Sequence, residues 1–187
     1  GVALLTKSTM VLRDIELIEK INQKNKAIVQ MTLTTLDDQL ASLIEPNVSL
    51  PTERLLALQS FSNRGITTGV WLAPVLPFIT DSKENIIQII KACKQVGVSF
   101  IIQYGMGTTM RDGSREFFYK GLSKHFPHLL SRYQNIYKTH YVCPSPHHLE
   151  LMEVFEKTCE AEGILYKSED IKNIFTSNRA NQPTLFD

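Results

Sequence analysis

Four short clusters carry residue types that could do chemistry, and each follows an apolar or β-branched run. Thr6-Lys-Ser8 sets an ammonium between two hydroxyls beside a helix start, a group suited to a carboxylate or a ribose. Its ordinary reading is that Ser8 or Thr9 caps the helix while Lys7 is solvated. Thr32 and Thr34 share one strand face and could turn hydroxyls toward a ligand, although threonine is also a common strand residue. Ala73 and Pro74, with Pro77, form either a rigid ligand wall or a plain strand stop. Tyr104 precedes Gly105-Met-Gly107, a lone GxG. Met110 stands where a dinucleotide fingerprint needs its third glycine, so the nucleotide signal is weak.

The remaining candidates are poorer. His140, Cys143, His147 and His148 have a ligand-like spacing, but Pro144 and Pro146 intervene and no second cysteine is near. The histidine pair reads better as the start of a helix, so no metal site is assigned. Cys93 and Cys159 lie in helical segments with apolar neighbours and read as core residues. Asp37, Asp38 and Asp81 have helix-capping explanations, and Glu45 gains no role alone. No acid–base pair or nucleophile emerges, so the catalytic residues stay unassigned.

The elements that must position these clusters follow from periodicity. Residues 2–5, 27–34, 67–72 and 99–104 read as strands, and helices alternate with them. Residues 10–23 carry a helical period. Thr35 with Asp38, and Asp81 with Glu84, have capping-box spacing. Gly65 and Gly97 each end a helix just before a strand, about one βα unit apart. Strands that alternate with helices imply an α/β fold with a parallel sheet. The expected fold class is a partial parallel (βα) barrel fragment of about four strands with a C-terminal helical region. The expected divisions are residues 1–112 for the βα units, 113–177 for the helical region and 178–187 for a flexible tail. Gly163-Ile-Leu-Tyr166 repeats the glycine junction and suggests a short strand.

Composition narrows the class. The 187 residues are 43% hydrophobic and 21% charged, a globular profile, and the net charge of +1 argues against a broadly basic nucleic-acid surface. A local basic groove is compatible with it. No apolar run is long enough to span a membrane, and the N-terminus is not a signal peptide. The leading glycine suggests that residues are missing upstream. Three irregularly spaced cysteines fit a reducing, cytoplasmic setting.

At these same loops the chain resembles a known family. The blocks are Thr6-Lys-Ser8 with Val11-Leu-Arg-Asp14, Thr32-Leu-Thr-Thr-Leu-Asp37, Leu43-Ile-Glu-Pro46, Pro51-Thr-Glu-Arg54 and Gly69-Val-Trp-Leu-Ala-Pro-Val-Leu-Pro77. In this order they resemble the radical S-adenosylmethionine family, in its spore photoproduct lyase-like, radical-type DNA repair photolyase group. The resemblance covers nearly the whole chain. It implies a partial (βα)6 barrel whose CxxxCxxC loop holds a 4Fe-4S iron–sulfur cluster. There S-adenosylmethionine is cleaved to a 5′-deoxyadenosyl radical. It implies that this chain is the C-terminal portion, starting at the third strand, and that the cluster belongs to the full-length protein and not to this chain. It further implies S-adenosylmethionine contacts at Lys7 and Ser8, ribose contacts at Thr32 and Thr34, adenine packing at Ala73 and Pro74, and pocket lining at Tyr104 and Gly105. Ala-Pro replaces part of the family's GxIxGxxE pattern. The family's hydrogen-donor cysteine has no match, and Cys143 is not a substitute.

The resemblance thus implies an enzyme, lyase-like, with a nucleic-acid substrate. A different reading comes from the end of the chain. Gln182-Pro-Thr-Leu-Phe186 resembles the peptide by which bacterial proteins dock on the replication sliding clamp, with Gln182, Leu185 and Phe186 as anchors. On that reading the chain is a non-catalytic interaction module. A barrel cut at its first strand also exposes an edge, so a homodimer through that edge is expected.

Overall fold

The computed structural model describes residues 1–176. Gln182, Leu185 and Phe186 therefore lie outside the described residues. The core is a four-stranded parallel sheet in sequential order: β1 (Val2–Thr6), β2 (Ala27–Thr32), β3 (Thr67–Trp71) and β4 (Phe100–Ile102). The α/β class and the partial parallel sheet anticipated from periodicity are what the chain adopts. Among the described residues no helix is long and apolar enough to cross a membrane.

β2 is buried at all six positions, as a parallel strand covered on both faces must be. Ala27 and Val29 face helices α1 (Ile15–Lys24) and α3 (Pro51–Ser62), packing with Ile18, Phe61 and Ile66. Ile28 faces the other way, against Phe100 and against Ile171 of α8 (Ser168–Thr176). Gln30 and Thr32 alternate with Ile28 and so share its concave face. Phe175 adds an edge-on contact with Phe100, the ring centroids 5.8 Å apart. Thus α8 covers the N-terminal end of the concave face, and the C-terminal strand ends are left for a ligand.

Helix α4 (Lys83–Gln95) and helix α7 (His148–Glu162) share one apolar cluster, in which Ile86, Ile89 and Cys93 meet Leu151, Phe155 and Cys159. After α7, Leu165 makes a single parallel bridge to Phe100, so the strand anticipated at 163–166 is reduced to that bridge. Helices α5 (Ser114–His125) and α6 (Pro127–Tyr137) close a second, smaller core around Tyr133 and Tyr137. A two-stranded antiparallel ribbon, β5 (Gly107–Thr109) with β6 (Val142–Pro144), joins the two regions. The sequence reading held no strand at 142–144.

Other local expectations are corrected. The first helical stretch divides into a 3-10 turn at Thr9–Asp14 and then α1. Helix α2 (Asp38–Ile44) is capped by Asp37, whose carboxylate accepts from the N–H groups of Gln39 and Leu40, and not by Thr35. The Thr35 hydroxyl instead accepts from Asp37 N. Helix α4 is capped by Ser82 and not by Asp81.

Candidate functional site

A cavity of about 500 Å³ opens at the C-terminal ends of β3 and β4. This is where a parallel βα sheet presents its loops, and the volume suits a nucleoside-sized ligand. One wall is Ala73-Pro74, joined by a cis peptide, and the facing wall is Tyr104-Gly105. Thr108, Val142 and Pro144 of the ribbon close a third side. Tyr104 is 76% exposed, so its ring is free to pack on a ligand. Its inner side rests on Trp71, with centroids 5.5 Å apart. The Trp71 indole N–H in turn donates to Gln30 Oε1 at 2.7 Å. Hence the exposed Tyr104 ring is backed by a ring fixed to the sheet.

His148, the first residue of α7, lines the same cavity. Its Nδ1 accepts from Met106 N–H at 3.2 Å. The neutral ring therefore carries its proton on Nε2, leaving a donor for a ligand. Gly105 adopts φ +113°, a backbone conformation that side chains with a Cβ rarely take. The loops are tied together by Val75 N donating to Gly107 O at 3.0 Å and Ser145 N donating to Met106 O at 2.7 Å. Asp81 joins this frame: its carboxylate accepts from Ser145 Oγ at 2.5 Å, which accounts for it without a capping role.

A second group sits at the ends of β1 and β2. The Lys7 ammonium donates to Glu45 Oε1 at 2.6 Å, so it is paired rather than simply solvated. Arg54 donates to the other oxygen of Glu45 at 2.9 Å. Arg54 also donates to the carbonyls of Thr32 at 2.9 Å and Ser49 at 2.7 Å. Ser8 caps the 3-10 turn through Met10 N. Thr32 and Thr34 are buried, and the Thr34 carbonyl accepts from Asn85 Nδ2 at 2.9 Å. Of the eight candidates, then, Ala73, Pro74, Tyr104 and Gly105 share one cavity, while Lys7, Ser8, Thr32 and Thr34 lie toward the other edge of the sheet.

The donor set of this chain does not fit an iron–sulfur cluster. Cys93, Cys143 and Cys159 are buried, and burial raises each thiol. Cys159 is pushed up to about 12. A cluster takes thiolates, which these sites disfavour. Cys143 turns its sulfur to the His140 carbonyl at 3.4 Å and into the α5–α6 core. No group of three histidine, cysteine or acidic side chains could hold a metal among the described residues. The cavity, by contrast, fits S-adenosylmethionine in volume and in its exposed aromatic face.

Sequence reasoning did not single out Gln30, Trp71, the Glu45–Arg54 pair or the role of His148. The signals were present in part, since Glu45, Arg54 and Trp71 all fall inside the blocks that carry the family resemblance.

No protein-family model matches the chain. An uncharacterised protein of Mycobacterium tuberculosis is 30% identical over 136 residues, which cover 73% of this chain and 39% of that protein. An uncharacterised protein of Acidianus two-tailed virus is 33% identical over 96 residues, 50% of this chain and 31% of its own length. The chain thus spans well under half of the relatives it matches. Among solved structures, a spore photoproduct lyase with bound AdoMet and dinucleoside spore photoproduct superposes on 88% of this chain and 49% of its own, with a TM-score of 0.58 and 13% identity. The same lyase complexed with dinucleoside spore photoproduct gives 0.57 over 88% and 51%. The likeness is one of fold.

Proposed function

We propose that this chain is the C-terminal part of a radical S-adenosylmethionine enzyme and forms one side of its S-adenosylmethionine pocket. One observation carries the reading. The four residues that the family resemblance assigns to the adenine side, Ala73, Pro74, Tyr104 and Gly105, line a single cavity at the strand ends. The fold likeness to a lyase that binds AdoMet supports it. Bound beside a cluster held elsewhere in the full-length protein, S-adenosylmethionine would supply the radical chemistry. The residues of this chain bind and orient. Tyr104 offers a ring face, Trp71 and Gln30 hold that ring in place, and the Nε2–H of His148 supplies a hydrogen bond to the ligand. The cluster belongs to a segment of the full-length protein outside this chain.

The substrate class we propose is a nucleic acid, with lyase-like chemistry, because the structurally similar lyase holds a dinucleoside photoproduct. The pocket assignment is tested by titrating the full-length protein with S-adenosylmethionine. Tyr104→Ala removes a stacking face and is expected to weaken binding about tenfold. Unchanged affinity in a folded Tyr104→Ala protein would place the ligand elsewhere.

A further inference from the structure

We infer that the outer end of the β5–β6 ribbon, built by Arg111, Lys138 and Tyr141, docks the phosphate backbone of an unpaired nucleic-acid strand; this rests on the nucleic-acid reading above. Charge is unevenly divided along the chain. Residues 107–149 hold Arg111, Arg115, Lys120, Lys124, Arg132 and Lys138 against Asp112 and Glu116 alone, a net charge of +4. The whole chain carries +1, so the remaining residues carry −3. The five histidines all fall in the basic stretch as well. Elsewhere Lys7, Arg54, Lys83 and Lys157 are held in ion pairs, whereas none of these six basic side chains is, among the described residues. Like charges gathered without partners repel one another, a cost that an incoming polyanion removes.

The ribbon brings part of that charge to one place. At its inner end Gly107 pairs with Pro144, and both line the cavity. At its outer end Thr109 pairs with Val142, and Met110 N donates to Tyr141 O at 2.8 Å. The Tyr141 hydroxyl meets the side chains of Arg111 and Thr109. Beneath them Arg115 is 8% exposed, and its guanidinium donates to the carbonyls of Lys138 at 2.9 Å, Met110 at 3.0 Å and His140 at 2.8 Å. These partners are carbonyls and not carboxylates, so the buried charge adds to that of Arg111 and Lys138 instead of being cancelled. The same bonds pin the loop at Lys138, whose φ of +45° is one that a side chain with a Cβ rarely takes. Arg111 and Lys138 are both exposed.

The surface fits a strand whose bases are unpaired. Tyr141 is 49% exposed beside two cations, and a stacking face next to positive charge is how single strands are held. A three-residue strand spans about 10 Å, so the path from the cavity mouth to Arg111 covers roughly three stacked nucleotides. A base that reacts inside the cavity has to leave its own stack first. The strand therefore runs along the ribbon, with phosphates at Arg111 and Lys138 and a base on Tyr141.

The test follows the fluorescence anisotropy of a labelled oligothymidylate on the full-length protein across a salt series. Arg111→Gln and Lys138→Gln should each lower the slope of log affinity against log salt by about 0.7, the share of one single-strand phosphate contact. Tyr141→Ala should weaken binding about tenfold at every salt concentration. Lys20→Gln, which removes an exposed charge from α1, should change neither quantity. Lys138→Gly accepts the positive φ and serves if Lys138→Gln does not fold. Unaltered slopes in the folded Arg111 and Lys138 variants would overturn the inference and leave the nucleic-acid reading standing. Equal affinity for the duplex with oligoadenylate would overturn it in favour of paired strands, and equal affinity for polyglutamate in favour of an acidic protein. A wild-type protein that binds S-adenosylmethionine but no oligonucleotide would overturn the nucleic-acid reading itself, and the inference with it.

Discussion

Arg54 is among the largest side chains fully buried in the described chain, and its charge is met by one carboxylate and two carbonyls. Taking away one partner of a buried pair strands the others. Arg54→Met is therefore expected to cost about 3 kcal/mol of unfolding free energy, read as a lower urea midpoint. A loss within 0.5 kcal/mol, the size of a surface substitution, would mean that the pairing is not maintained in solution. The thiols give a second residue-scale expectation. Burial lifts Cys159 from an ordinary 9.0 to about 12. The folded state thus keeps a proton that the unfolded chain releases. That contribution is fully present below pH 9 and is lost as pH rises toward 12. The urea midpoint should fall across this window, and Cys159→Ser should flatten the fall; a midpoint that rises would contradict the assignment. At this scale the sequence was partly legible. Ala73, Pro74, Tyr104 and Gly105 were found because strand ends are a geometric rule. The Glu45–Arg54 pair was not, because Glu45 follows the end of α2 while Arg54 lies within α3, and no local period links them.

At the scale of elements, the parallel strands were readable because glycines punctuate them. Gly65 and Gly97 adopt φ of +70° and +78°, a conformation that ends each helix just before the next strand. The ribbon was not readable. β6 is three residues long, ends in Pro144, and owes its conformation to β5, far away in sequence. A capping role was legible at Asp37, whereas the cap at Ser82 was missed by one residue, because several short polar residues compete at a helix start and the local turn decides among them. A close approach within the sheet supplies an element-scale test. A Cβ on Gly69 would lie 2.3 Å from the Phe100 ring. Gly69→Ala should therefore destabilise by roughly 1–3 kcal/mol through overpacking. Adding Phe100→Leu should recover part of that loss in a double-mutant cycle. Strict additivity of the two changes would show that the strands do not pack this way.

At the scale of the whole molecule, the chain spans 39% of the mycobacterial relative and about half of the lyase whose fold it shares. One edge of the sheet carries the ion-paired Lys7, Glu45 and Arg54 and the other an aromatic cavity, with α8 covering the end away from both. The three cysteines are buried and form no metal-holding group among the described residues. The account therefore requires the cluster to come from elsewhere in the full-length protein. The most direct test is anaerobic reconstitution of the full-length protein with iron and sulfide, followed by dithionite and S-adenosylmethionine and chromatography for 5′-deoxyadenosine. The account predicts 5′-deoxyadenosine in the reconstituted wild type and much less in the Tyr104→Ala protein. A reconstituted protein that binds no cluster and releases no 5′-deoxyadenosine would contradict it.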